Sequence, residues 1–300
     1  MLINFFMKKN TWTSEEIKFL NDNFPTKGVK FCSVHLNYSI SKINNMSYKL
    51  GLKINKDVKI KYVGKPNNMC NVNPELFFSI TTKEVSYILG LMWADGFLNK
   101  TGRSYNLGVN MIKDDIILIK KTFDEIGIWN FFESKRKRET WKDQIRVVTN
   151  NKRIFNFLLE NGYNQKSFIS ADIIISKIPE NLQHYFYRGL IDGDGCFYYK
   201  KNKKSTMRQL TITSTYNQNW EYLVLLYKKL NIKFAITKVV RKKSSYSIIR
   251  ISNKRGINNL GNYIYNGYEI DNIGLHRKYV KYLNIINSPY NSIKNTRKLF

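Results

Sequence analysis

The chain has 300 residues, with 50 lysines and arginines against 22 aspartates and glutamates, and its formal net charge is +28. This charge repels itself unless a polyanion balances it, so the composition favours a nucleic acid partner over a membrane surface. A compositional bias towards lysine and asparagine would also raise the charge, but it does not explain the scarcity of acidic residues. No apolar run approaches the roughly 18 residues of a membrane span, and three widely spaced cysteines argue against a disulfide framework or a zinc site. We therefore expect a soluble intracellular protein with no membrane partner.

The first predicted elements are three short helices within residues 1–54. Thr13 or Ser14 can cap the first helix, whose early acidic residues meet the positive end of the helix dipole. A break at 24–28 separates the first helix from the second, and the third covers 41–50. The third helix has a polar, outward-projecting face on which we expect three DNA contacts: Lys42, Asn44 and Lys49.

Three short helices ending in a polar, basic one are typical of helix-turn-helix proteins. The sequence from WTSEE at 12–16 to SYKLGL at 47–52 resembles small Myb-like or phage-type helix-turn-helix modules. The resemblance implies a DNA-binding module, although three-helix scaffolds also serve as protein-contact modules. Residues 55–80 contain many lysines and asparagines without a clear period, which predicts a basic linker, either laid along DNA or a solvated tether.

Two similar segments then follow, ILGLMWADG at 88–96 and YRGLIDGDG at 187–195. In each, small residues stand four positions apart, and positions i and i+4 share a helix face. We predict two helices that pack closely together and that each present one carboxylate where they end. The last glycine of each segment is expected to adopt the left-handed conformation that stops a helix. Thr81 and Glu84 predict a capping box for the first helix, and Pro179 is expected to open the second.

From residue 81 onward the chain repeats one order of elements. Each of the two segments is followed by strand-like alternation, a helix, a basic hairpin and a further helix. The order is αββαββα in 81–178 and again in 179–300. We therefore predict an α+β fold of two pseudo-symmetric halves, preceded by the small three-helix domain.

Both segments resemble the LAGLIDADG motif of homing endonucleases, and GLIDGDG at 189–195 matches the motif closely. The first copy departs from it by placing Trp93 where the second has Asp192. The repeated order of elements is the one that this family's fold requires. The resemblance implies a monomeric, site-specific endonuclease that cuts both strands of a long, asymmetric DNA target. It also implies a gene carried by a mobile intron, an intein-like insertion or a free-standing phage gene.

Asp95 and Asp194 are the candidate catalytic residues and metal ligands. A carboxylate at the C-terminus of a helix faces the negative end of the helix dipole, and two carboxylates brought together repel each other. A divalent cation offsets both costs, and Mg²⁺ suits a site with few carboxylates completed by phosphate oxygens and waters. The resemblance adds the backbone carbonyls of Ala94 and Gly193 as metal ligands.

The resemblance also implies basic residues that arrange water and stabilise phosphate charge beside the carboxylates. Lys166 in the first half and Lys278 or Arg277 in the second half match this role. Polar residues alternate along the predicted strands, and such strands can enter the major groove, where amide and basic side chains bind base edges. With the basic hairpins, they give the expected DNA contacts: Asn106, Asn110, Lys135, Lys137, Arg146, Gln209, Thr211, Thr213 and Lys243.

Two other functions fit the same family resemblance, an intron maturase that binds RNA and a DNA-binding regulator that does not cleave. A non-cleaving descendant would be free to lose one motif aspartate, whereas Asp95 and Asp194 are both present. The sequence therefore favours cleavage of double-stranded DNA, with intron RNA as the alternative partner.

Overall fold

The structure is a computed structural model, and it describes residues 12–55, 71–134, 142–201, 206–241 and 244–289. The chain divides into two compact units, residues 1–69 and residues 70–300. Among the described residues, none of the helices has the length and apolar character needed to cross a membrane.

The first unit contains α1 (Ser14–Leu36) and α2 (Ile40–Lys49). Thr13 caps α1 in a capping box: its hydroxyl accepts from the Glu16 amide, and the Glu16 carboxylate accepts from the Thr13 amide. Gly28 has a φ of 77° and interrupts α1, so residues 12–55 form three helical segments, as the sequence predicts. The buried core of the unit consists of Leu20, Phe24, Cys32 and Ile43.

The second unit begins with β1 (Asn71–Val72) and α3 (Pro74–Ser79), where the sequence predicts a linker. The linker prediction is wrong for 71–80 because three apolar side chains of this segment are fully buried in the main core. The remaining linker residues, 56–70, lie outside the described residues. The buried side chains are Val72, Phe77 and Ile80.

The first half of the second unit is built around a four-stranded antiparallel sheet in the order β2-β3-β6-β5. A short strand of this half, β4, pairs with β1 instead. The elements of the half are α4 (Lys83–Asp95), β2 (Gly96–Thr101), β3 (Ser104–Ile112), α5 (Lys113–Asp124), β4 (Gly127–Ile128), β5 (Asn130–Ser134), β6 (Gln144–Thr149), α6 (Lys152–Glu160) and α7 (Asp172–Ile175).

The second half repeats this arrangement with a sheet in the order β7-β8-β10-β9. The predicted order αββαββα is therefore confirmed in both halves. The elements of the second half are α8 (Glu180–Asp194), β7 (Gly195–Lys201), β8 (Thr206–Thr215), α9 (Glu221–Lys229), β9 (Ala235–Val240), β10 (Ser245–Ile251), α10 (Lys254–Ile264), α11 (Tyr268–Asp271) and α12 (His276–Ile286).

The helices α4 and α8, here called the motif helices, pack directly on each other between the two halves. A Cβ atom added at Gly90 would overlap the carbonyl oxygen of Phe186, and one added at Gly189 would overlap that of Tyr87. Each helix therefore approaches the backbone of the other where it has no side chain. This observation confirms the close packing predicted from the small residues spaced four apart.

Two details of the motif helices differ from the prediction. Gly96 and Gly195 follow the helix ends with a φ of −73° each, which is extended and not left-handed. Glycine is needed there because a Cβ would overlap a carbonyl oxygen of the last helical turn. The N-cap of α4 is Thr82, not Thr81: the Thr82 hydroxyl accepts from the Val85 amide at 3.3 Å.

We expect Gly90→Ala to lower the free energy of unfolding by about 3 kcal/mol, since the new methyl group can be accommodated only if a main-chain carbonyl moves. Gly102→Ala is the matched control, because Gly102 has a left-handed φ of 56° but open space around it. Its cost should be about 1 kcal/mol, from backbone strain alone. Urea denaturation measures both, and equal losses would contradict the close-approach argument.

Candidate active site

Asp95 and Asp194 are the last residues of the two motif helices and lie at the same end of the helix pair. A Cβ added at Gly193 would overlap the Cβ of Ala94 and lie 3.2 Å from the Oδ2 atom of Asp95. Only small residues separate the helices at this point, so the two carboxylates are brought into one site. The structure thus joins two residues that are far apart in the sequence.

Partial desolvation raises the pKa of both carboxyl groups. At Asp194 desolvation is the main cause and the negative charge of Asp95 adds to it, so that the pKa reaches about 6. At Asp95 desolvation also raises the pKa, while the charges of Lys166 and Lys278 oppose the change. The ionised pair is thus costly in the free protein, which favours binding of a cation between or beside the carboxylates.

Lys166 lies beneath the C-terminus of α4. Its Nζ donates to the carbonyl oxygens of Met92 at 3.0 Å, Ala94 at 3.1 Å and Gly96 at 2.8 Å. These contacts place positive charge at the negative end of the helix dipole. Burial lowers the pKa of Lys166 to about 8, although the two aspartates act in the opposite direction.

Lys278 takes the corresponding place at the C-terminus of α8. Its Nζ donates to the carbonyl oxygens of Ile191, at 3.2 Å, and of Gly195. The side chain is buried, and desolvation lowers its pKa. Both lysines that the sequence singled out therefore lie at the ends of the motif helices.

The third acidic residue of the motifs, Asp192, braces the second motif helix. It is fully buried, and its Oδ2 accepts from the Tyr87 hydroxyl at 2.9 Å and from the Leu275 amide at 2.8 Å. Burial raises the pKa of Asp192 to about 6. In the first motif, Trp93 occupies the equivalent position and packs its ring against two tyrosines instead. The C-terminal ends of the two motif helices are therefore supported by different contacts.

The donor atoms at the site fit a hard cation held by few protein ligands. No cluster of three or more histidine, cysteine, aspartate or glutamate side chains within the described ranges could hold a metal ion. Mg²⁺ is commonly bound through one or two carboxylates, with waters and substrate phosphates completing its shell. The ligands that the sequence predicts are all oxygens, from the carboxylates of Asp95 and Asp194 and the carbonyls of Ala94 and Gly193. The Ala94 carbonyl already accepts from Lys166.

The predicted DNA-contact residues of the first half that the structure describes, Asn106, Asn110 and Arg146, share one face of its sheet. Asn110 and Arg146 are cross-strand partners and both are exposed, and the Arg146 guanidinium lies 4.4 Å from the centroid of the Phe97 ring. Asn106 is half-buried and pairs with Asn99 of the neighbouring strand. Asn99 was missed in the sequence, because alternation along one strand does not reveal its partner.

In the second half, Gln209, Thr211 and Thr213 occupy one face of β8, and Thr213 is the most exposed of the three. The strand register adds Tyr198, opposite Gln209, and Arg250, opposite Thr211. Both were missed, again because they depend on strand pairing. The remaining predicted contacts lie outside the described residues: Lys135, Lys137 and Lys243.

On α2 of the first unit, Asn44 and Lys49 are exposed as expected, but Lys42 does not project outward. The Lys42 Nζ lies 3.6 Å from the centroid of the Tyr38 ring, so the ammonium packs inside its own domain. Tyr48 was missed: its side chain is 87% exposed and lies one helical turn after Asn44. The spacing of four residues from Asn44, which places both side chains on one face of the helix, could have revealed it.

The family model described as LAGLIDADG endonuclease matches residues 188–288, from within α8 to just past the end of α12. The second half of the second unit is thus similar to this family over most of its length. The first half repeats the same elements around the other motif copy, so the LAGLIDADG fold extends over both halves.

The uncharacterized protein MJ0314 of Methanocaldococcus jannaschii is 26% identical over 187 residues, which cover 61% of this chain and 65% of that protein. The match thus spans less than two thirds of this curated relative. Among solved structures, the homing endonuclease I-WcaI bound to its DNA recognition sequence has 20% identity and a TM-score of 0.46, covering 79% of this chain and 96% of its own. The meganuclease I-SmaMI bound to uncleaveable DNA has 16% identity and a TM-score of 0.43, covering 67% and 87%.

In metal-free protein, we expect the stability contributed by Asp194 to fall as the pH rises from about 4 to about 6. The folded state binds this proton more tightly than the unfolded state, because the pKa is raised from 3.8 to about 6. That stability is therefore complete below the unfolded pKa and lost as the pH passes the folded one, by up to about 3 kcal/mol.

Asp194→Asn should remove this component, so its unfolding free energy should fall less than that of the unmodified protein between pH 4.5 and 7. Urea denaturation with a chelator present measures the difference. Asp124→Asn, at an exposed position of α5, serves as control and should keep the original pH dependence. An equal or steeper fall in Asp194→Asn would contradict the assignment.

Proposed function

We propose that the protein is a site-specific endonuclease that cuts both strands of a long, asymmetric DNA target with the help of Mg²⁺. The observation that carries the proposal is the pairing of two partly desolvated carboxylates, Asp95 and Asp194, at one end of the motif helices, in a chain whose residues 188–288 match the LAGLIDADG endonuclease model. A repeat with one carboxylate in each half supplies two similar reaction centres, as the cutting of two strands requires. The two halves differ outside their motifs, and an asymmetric target follows.

When bound, Mg²⁺ would supply Lewis-acid stabilisation of the phosphate and a water molecule of lowered pKa. Asp95 and Asp194 would hold it, together with the carbonyls of Ala94 and Gly193. Since the pKa of Asp194 is about 6, this carboxylate is charged at neutral pH and available as a ligand. The Ala94 carbonyl can be released by Lys166, which keeps two other carbonyl partners on the same helix end.

The two lysines would act on the reacting phosphate. Lys166 is mostly protonated below pH 8, so its ammonium can face the negative charge that develops on the phosphate oxygens. Lys278 offers the equivalent group at the other motif helix. Both ammonium groups are bound to carbonyls, which fixes them before substrate arrives and lowers the cost of reorganisation.

The polar sheet faces would lie against the DNA, since the net charge of +28 favours a polyanionic partner. Amide and guanidinium groups on these faces can bind base edges in the major groove, and the hairpin lysines can contact phosphates. Both reaction centres belong to one chain, so we propose that the protein acts as a monomer inside the cell. The gene would lie in a mobile intron, an intein-like insertion or a free-standing position. The residues assigned to DNA are Asn106, Asn110, Lys135, Lys137, Arg146, Gln209, Thr211, Thr213 and Lys243.

We expect the unmodified protein to cut at least one site in a library of random DNA duplexes when Mg²⁺ is supplied, and a chelator to stop cleavage. Asp194→Asn should lower the cleavage rate at least about 100-fold, because the amide keeps the size of the side chain but loses its charge. The exposed change Asp124→Asn should leave the rate unaltered.

Three outcomes would contradict this proposal in different ways. Cleavage that survives Asp194→Asn would overturn the mechanism. Tight binding to a structured intron RNA without cleavage of any DNA site would favour the maturase. Specific DNA binding without cleavage would favour a regulator.

We further propose that the first unit, residues 1–54, adds DNA affinity through the exposed face of α2. Lys49→Gln should reduce the slope of log affinity against log salt by about 1, since one phosphate contact is lost. Lys18→Gln, an exposed change on α1, should not alter the slope. Asn44→Ala should weaken binding to the preferred site more than to unrelated DNA. Unchanged affinity, slope and footprint in both α2 variants would exclude a DNA contact by this helix.

A further inference from the structure

The two lysines of the site are each held in part by residues of the opposite half. The segment that carries Lys166 follows α6 and is not helical, so its own secondary structure does not fix the side chain. Lys278 lies in the first turn of α12, where the helix start depends on contacts to other elements. The positions of the two ammonium groups are therefore set by tertiary contacts.

Gln218 of the second half holds the segment of Lys166. The Gln218 side-chain amide donates through Nε2 to the main-chain carbonyl of Lys166 at 2.9 Å. The hydroxyl of Ser214 donates to Oε1 of Gln218 at 2.6 Å, which fixes the orientation of that amide. The next amide, of Asn219, donates to the carbonyl of Ser167 at 3.0 Å. Two consecutive carbonyls of the lysine segment are thus bound by the other half.

Gln218 also lies close to the reacting groups. Lys166, Gln218 and Asp194 line one small cavity of about 100 Å³ at the end of the motif helices. Movement of the Gln218 amide would therefore change the space in which Lys166 is proposed to bind a phosphate oxygen.

Asp115 of the first half holds the segment of Lys278. Its carboxylate is buried and accepts two hydrogen bonds from the guanidinium of Arg277, from Nε at 2.7 Å and from Nη2 at 2.6 Å. This parallel, bidentate geometry fixes direction as well as distance. Arg277 directly precedes Lys278, so the ion pair orients the first turn of α12 against the first half.

The two holding residues occupy places related by the repeat. Asp115 lies in the first turn of α5, the helix that follows the second strand of its half. Gln218 lies just before α9, the helix that follows the second strand of the other half. In each half, a residue at or just before the start of this helix therefore contacts the lysine segment of the other half.

We propose that Gln218 and Asp115 are positioning residues, Gln218 for Lys166 and Asp115 for Lys278, and that each controls cleavage of one DNA strand. The inference rests on the proposed endonuclease function. A lysine has a long, flexible side chain, so its ammonium stays in place only if its main chain is fixed. A displacement of about 1 Å in a catalytic site can cost about 100-fold in rate.

The first test uses a DNA duplex labelled separately on each strand and cleaved in single turnover by Gln218→Met and Asp115→Asn. Each variant should slow one strand at least about 10-fold relative to the other, and the two variants should slow opposite strands. Gln183→Met is the matched control. Like Gln218, Gln183 binds main-chain carbonyls through its side-chain amide, but these carbonyls, of Ile175 and Ile178, lie just before α8. It should show no strand bias.

Arg277→Lys provides a second variant of the ion pair that keeps the charge and loses the bidentate geometry. It should slow the same strand as Asp115→Asn. Equal slowing of both strands by Gln218→Met or Asp115→Asn, or slowing of the same strand by both, would overturn the proposal.

The second test needs no cleavage and uses the metal-free full chain with ¹³C-labelled lysine. The Cε resonance of Lys166 should move in Gln218→Met and stay in Asp115→Asn, and that of Lys278 should do the reverse. Lys166→Arg and Lys278→Arg assign the two signals. If the unmodified protein cuts no DNA, the proposed function fails, while these resonances still decide the positioning roles: unmoved signals would reject them.

Discussion

The contact of backbone on backbone between the two motif helices is the constraint on which the rest of the structure depends. Gly90 and Gly189 allow it, since any side chain there would overlap a carbonyl of the other helix. Because the helices touch along one line, both of them end at the same place. Asp95 and Asp194 are thereby brought together in a partly desolvated site that neither half could create alone.

The pKa shifts of the charged groups at the site follow from this desolvation. Desolvation raises the carboxyl pKa values and lowers those of Lys166 and Lys278, so every charged group there is less stable than it would be in water. The lysines reduce the cost by binding helix-end carbonyls and by facing the aspartates. A site with such costly charges gains from a cation near the carboxylates and a phosphate near the ammonium groups. We regard this as the physical basis of the proposed chemistry.

Despite the internal repeat, the C-terminal ends of the two motif helices are not equivalent. Asp192 braces the second motif helix through a tyrosine of the first half and a main-chain amide before α12. Trp93 fills the corresponding place in the first motif with an aromatic ring, and cannot accept such bonds. The Lys166 segment is instead bound by Gln218 across the interface. Two halves with one fold have thus reached similar lysine positions through different contacts.

The sequence by itself determined what depends on local periodicity and short spacing: the motif helices and the repeated αββαββα order. It also predicted Asp95 and Asp194 as the site residues. Only the tertiary structure decided what depends on pairing between distant segments. Residues 71–80 have the composition of a linker, and only the pairing of β1 with β4 shows that they belong to the folded unit. Asn99 joins the polar sheet face only through the strand register. The partners of the two lysines come from the opposite half, and no spacing along the chain encodes a contact between residues 52 or 162 positions apart.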